Sequence, residues 1–173
     1  MRTKLSVTFA VLALGAIAPA EARDDKHMFP IKAALGKSQQ YKEKLESDIA
    51  LYFGKQKTPA VDKRIGEYTS NKKTNGFNKG DQEACDIAFI SAAAALQDRA
   101  RREGGNAVIN IRSVYRNDNV ASETEYLCGS GAVMSGVALR GTVVTLAKGK
   151  KSLEAHREAE RPAGHVVADL VAN

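Results

Sequence analysis

Between Asp81 and Tyr115 the hydrophobic period of this chain changes from that of a helix to that of a strand across a Gly104-Gly105 joint. Cys85, Phe89, Ala92, Leu96 and Ala100 recur at spacings of four, three, four and four, which places them on one helix face. Asp81 stands at the expected N-cap, with Glu83 in the first turn where the helix dipole favours negative charge. Ile87, Ala88, Ala93, Ala94 and Ala95 widen the apolar surface, and so many alanines allow a backbone to approach a sheet closely. The expected solvent side carries Asp86, Gln97, Asp98 and Arg101. Gly104-Gly105 ends the element, because glycine accepts the left-handed conformation common at helix C-termini. The run Ala107 to Tyr115 that follows is rich in β-branched residues, and alternation predicts Ala107, Ile109, Ile111 and Ser113 on its inward face.

The rest of the chain is organised around this unit. Phe29 to Ile49 is loosely helical, with Gly36 as a break, and short strands are expected at Ala50 to Phe53 and Val61 to Tyr68. Ser70 to Gly80, rich in turn formers and lysine, reads as a loop. Asn117-Asp118-Asn119 reads as a turn, so Ser122 to Cys128 is expected to pair antiparallel with the preceding strand. Between Ala132 and Leu146 one long bulged strand or two short ones is expected, the glycines marking bulges or close backbone approach. The sum is an α+β domain over 29–147, a central helix on a small, mainly antiparallel sheet. It is preceded by a polar lead over 23–28 and followed by a polar tail over 148–173.

The first twenty-two residues set the compartment. Arg2 and Lys4 precede a mostly apolar run from Leu5 to Ala18, and Ala20-Glu21-Ala22 has the small-x-small pattern of a signal-peptidase site, so cleavage after Ala22 and a periplasmic location are expected. The alternative is an uncleaved amino-terminal helix. The apolar run falls short of the roughly 18 residues a membrane helix needs, and no membrane span is expected. Without those residues the 173-residue chain retains one domain's worth of sequence, able to bury about two-thirds of its unfolded surface. Its formal charge of +6 is spread along its length, whereas a nucleic-acid protein concentrates basic charge on one element, so no nucleic acid is expected as a partner.

Cys85 and Cys128 are the whole thiol inventory. An even count in an oxidising compartment points to one disulfide, to which the chain-entropy model gives about 4 kcal/mol as an upper figure. A redox-active or metal-binding pair is the competing reading, but neither a C-x-x-C spacing nor a nearby histidine supports it.

Motifs for catalysis or cofactors are incomplete. Gly36-Lys37-Ser38 ends like a phosphate loop, but Ile31 stands where its first glycine belongs, and Gly129-Ser130-Gly131 has Met134 in place of the third glycine of a dinucleotide fingerprint. His27, His156 and His165 lie in the lead and tail, outside the expected core. Ser91, Ser113, Ser130 and Ser135 have no core histidine as base, and Glu123 and Glu125 would share one strand face as solvated carboxylates. No cofactor is therefore expected. The most site-like surface is the loop with Asn71, Lys72, Lys73, Asn75, Phe77 and Lys79. It reads either as a solvated connection or as a contact for an envelope protein or anionic envelope component, and a phenylalanine in so polar a loop needs burial or a partner.

At Ser70 to Gly76, Cys85 with its alanine-rich helix, Gly105-Asn106-Ala107-Val108-Ile109-Asn110-Ile111 and Glu125-Tyr126-Leu127-Cys128, the chain resembles a small family of exported proteobacterial proteins that often carry the description "excinuclease ATPase subunit". The resemblance spans roughly Phe29 to Leu146. No ATP-binding loop or zinc-finger cysteines accompany it, so that description implies no activity here. More distantly, the helix, the Gly-Asn-Ala-Val start of the next strand and the glycine-containing last strand resemble the Rcs stress-sensor lipoprotein domain and YbjQ-like domains. These imply a compact α+β fold without known catalysis. The lipid-attachment cysteine of the sensor is missing, and one bridge is available instead of two. The resulting expectation is a non-catalytic periplasmic protein that binds a partner or ligand, in envelope stress or maintenance. The alternatives are a small envelope hydrolase and a metal-binding periplasmic protein.

Overall fold

A computed structural model describes residues 23–37 and 45–147. The expected signal segment and the polar tail lie outside the described residues, as do His156 and His165. Seven strands form one sheet: β1 (Asp24–Pro30), β2 (Ala50–Phe53), β3 (Val61–Asn75), β4 (Ala107–Tyr115), β5 (Asp118–Val120), β6 (Glu125–Gly131) and β7 (Met134–Leu146). Among the described residues two helices accompany them, α1 (Ile31–Gly36) and α2 (Asp81–Arg102). The fold is α+β and mostly antiparallel, β2 running parallel to β4. No described helix is long and apolar enough to cross a membrane.

The long strand β7 organises the sheet. β3 lies along its whole length on one side, from Val61↔Leu146 to Asn75↔Met134. On the other side β4 pairs with its second half and β6 with its start, and β1 and β2 extend these outward. Helix α2 covers one face, burying Cys85, Phe89, Ala92, Leu96 and Ala100 as its period predicts. The other face is open and polar along part of its length, where Arg112 reaches Glu67 at 3.0 Å and Arg140 donates to Thr69 at 2.9 Å. One buried and one wet face is the usual economy of an antiparallel sheet. Cys85 and Cys128 form a disulfide that joins α2 to β6 across 43 residues.

Several expectations are corrected. The N-cap of α2 is Gly80, with Asp81 inside the first turn and bonded to Arg23. The helix ends as expected. Gly104 takes φ of 74°, and the Gly105 and Gly104 amides donate to Ala100 and Arg101 carbonyls, a Schellman closure. Asp86 and Gln97 are buried, not on the solvent side, because β6 and the 46–49 segment wrap around α2 beyond the apolar stripe. Gln97 bonds both the amide and the carbonyl of Glu46 and the carbonyl of Ile49, fastening the approach to β2.

The two isoleucines of β4 face opposite ways. Asn110 sits at φ 53°, and the register advances from Ile109↔Thr142 to Arg112↔Arg140, so β4 gains one residue over β7. Val108, before the bulge, and Ile111, after it, therefore both face α2, while Ala107 and Ile109 join Val144 and Leu146 in a smaller cluster on the reverse face. The tight connection after β4 falls at Arg116, with φ 52°, and Tyr115↔Asp118 closes it. The short β5, and not 122–128, is therefore the antiparallel partner of β4 there, while β6 pairs with β1 and β7. The lead over 23–28 largely belongs to β1, and Glu123 precedes β6, so it shares no strand face with Glu125. β7 is one long strand. The bulges expected within it fall instead on its neighbours β3 and β4, and Gly141 marks the close approach: a methyl there would lie 2.6 Å from a Val108 side-chain carbon.

Candidate functional site

The segment 70–80 is a loop only in its second half. β3 continues to Asn75 because β7 supplies a ladder partner for each of its last residues. Strand alternation therefore divides the predicted site residues. Asn71, Lys73 and Asn75 pair with Ala138, Gly136 and Met134 and share the open face, whereas Lys72, opposite Val137, lies on the helix side.

Past Asn75 the chain turns sharply into α2. The Asn75 side-chain oxygen accepts the Phe77 amide at 2.8 Å, the Gly76 amide donates to the Val133 carbonyl at 2.8 Å, and Asn78 adopts φ 59°. This is an Asx-type turn, a local bond that competes with continuing the strand. It leaves Phe77 outside the core, 69% exposed, at the same end as Val133 at 61% and Met134 at 48%. Three large apolar side chains thus stand in water at one end of the sheet. The Lys79 ammonium donates to the Asn75 carbonyl at 3.3 Å, and among the described residues Lys72 and Lys73 make no ion pair. The neighbouring carboxylate, Asp81, is engaged by Arg23 and lies 3.5 Å from His27.

Two hollows flank this end. On the open face a cleft of about 350 Å³ is lined by Asp24, Asn71, Lys73, Tyr115, Arg116, Gly129 and Met134, among others. Asp24 accepts from Tyr115 and pairs with Arg116. The hydrogen bond it donates to Asp24, and then burial, raise the Tyr115 hydroxyl above its ordinary pKa, so it remains a neutral donor. Gly129 is needed beside it, since a methyl would lie 2.2 Å from the Tyr115 ring. On the helix side a groove of about 230 Å³ runs between β3 and α2, lined by Tyr68, Ser70, Lys72, Leu96, Arg99 and Arg102, among others. Arg99 lies 4.7 Å above the Tyr68 ring and donates to Glu103 at 3.0 Å. Burial, and then the Glu103 carboxylate, raise the Tyr68 hydroxyl as well.

Of the predicted contact residues, Phe77 and Lys79 mark the turn, Asn71 and Lys73 the open cleft, and Lys72 the groove. Sequence reasoning missed Val133 and Met134, because the apolar cluster is assembled from two distant turns. It also missed Arg99 and Arg102, although with Ala95 they fall on one side of the helix at spacings of four and three.

The candidate serines are occupied structurally. Ser130 and Ser135 bond one another at 3.0 Å, and Ser113 accepts the Leu127 amide. No group of three or more His, Cys, Asp or Glu converges among the described residues. A buried pair stands apart from the tip: Asp86, 1% exposed, accepts from Tyr126 at 2.6 Å and from Lys37 at 2.7 Å, and the Tyr126 ring stacks on Phe89 at 4.2 Å. Burial first, then Asp86, drive the Tyr126 hydroxyl far above its ordinary pKa. Compared with protein-family models and with curated proteins, the chain matches none.

Proposed function

We propose that this is a non-catalytic, exported binding protein of the periplasm, which holds an anionic envelope partner against the basic, apolar-tipped end of its sheet in envelope stress or maintenance. The observation that carries this reading is the exposure of Phe77, Val133 and Met134 together beside Lys72, Lys73 and Lys79. Apolar side chains of this size clustered in water mark a contact surface, and the lysines give it a sign. The oxidised Cys85–Cys128 pair is compatible with export, as is the signal-like start of the chain. The resemblance to exported proteobacterial proteins supports the same compartment.

The test is capture in living cells with a photocrosslinker placed at Phe77. A defined adduct is expected, and simultaneous Lys72→Glu, Lys73→Glu and Lys79→Glu substitution should abolish it while leaving the melting temperature within a few degrees. Undiminished capture by the charge-reversed protein would overturn the assignment of this surface. Full-length material in the cytosol with both thiols free would overturn the compartment.

A further inference from the structure

We propose that the groove between β3 and the second half of α2 is a binding site for a dianionic phosphate group, held by Arg102, Lys72 and the Ser70 hydroxyl. This goes beyond the tip reading and shares only Lys72 with it.

Ser70 is 8% exposed, and its Oγ is buried without a hydrogen-bond partner. Leaving a buried hydroxyl unsatisfied is unfavourable, so buried hydroxyls normally find a partner. Ser70 pairs with Leu139 on the helix side of the sheet, and it lines the groove. The surrounding charge is one-sided. Arg99, Arg102 and Lys72 line the groove, and the nearby carboxylate of Glu103 is taken by Arg99 at 3.0 Å. Neither Arg102 nor Lys72 forms an ion pair among the described residues, so two cations remain for a ligand. Two cations and one hydroxyl donor match the charge and oxygens of a phosphate monoester, and a guanidinium presents paired donors suited to such oxygens. The 230 Å³ groove accommodates a phosphate group with room for what it is attached to.

The same chemistry is offered by free phosphate, by a phosphorylated sugar and by a lipid headgroup. The mature, disulfide-intact protein should therefore be titrated calorimetrically with inorganic phosphate and glucose 1-phosphate, and assayed for sedimentation with phosphatidylcholine vesicles with or without phosphatidic acid. Saturable binding to at least one probe is expected, and the preferred probe identifies the source. Arg102→Gln and Lys72→Gln should each weaken it about tenfold, the equivalent of one charge-assisted contact. Ser70→Ala should weaken it a few-fold without lowering the melting temperature, because the removed hydroxyl makes no bond in the free protein. Lys73→Gln, one residue along but on the opposite face, should bind as the unaltered protein does. Absence of saturable binding to every probe, or equal losses from Lys73→Gln and Lys72→Gln, would overturn the site. Photocapture at Phe77 reports separately: its survival beside a failed titration removes the groove and keeps the tip, and the converse removes the tip and keeps the groove.

Discussion

Asp86 illustrates how one residue's neighbours override its helical position. Its place beside the apolar stripe reads as solvent-facing, yet Tyr126 and Lys37 arrive from β6 and the end of α1 to satisfy it. Replacing Tyr126 with Phe removes a hydrogen bond to a buried carboxylate and should cost about 1.5–3 kcal/mol, measurable as a lower urea midpoint with an unchanged slope. The pH dependence has a definite sign. A hydroxyl whose pKa is higher folded than unfolded adds stability below the unfolded value of 10.0, and this is lost progressively as pH rises above it. Alkaline destabilisation is therefore expected, and it should be shallower in Tyr126→Phe. Tyr68 and Tyr115 shift the same way and leave a residual slope in that variant.

At the scale of elements, the sequence was most legible where a period was long and uninterrupted. The five stripe residues of α2 lie in the core, and its glycine end is where the composition places it. The β4 run obeyed its period only up to Asn110. One left-handed residue inverts every side chain beyond it, and alternation counted through a bulge assigns Ile109 and Ile111 to the same side when they face opposite sides. Asparagine tolerates that conformation better than most residues. Asn110→Val should thus cost about 1–3 kcal/mol, and Asn110→Gly should be near neutral, both checked by thermal unfolding. The second half of β3 was illegible for a different reason. Its lysines and asparagines have low strand propensity, and its order comes from the length of β7, which a local window does not contain. The contact residues were accordingly named as one loop, whereas pleating deals them to two faces.

For the molecule as a whole, the disulfide joins the two layers. Both sulfurs are fully buried, with Cys85 on α2 and Cys128 on the strand that carries β1. A reductant followed by a thiol reagent should therefore label the sulfurs only once the protein is unfolded, and the Cys85→Ala/Cys128→Ala protein should lose about 2–4 kcal/mol relative to the oxidised form, as measured by denaturant titration. The layout also has a direction. Asp24 pairs with Gly131 at the end where β7 begins, whereas Leu146 lies beside Val61 at the other end, about 40 Å away along thirteen strand residues. The body therefore has a bow and a stern. A tether joined at Arg23 would hold the molecule by the prow that carries Phe77, while one joined at Ala147 would moor it by the opposite end and leave that prow facing outward.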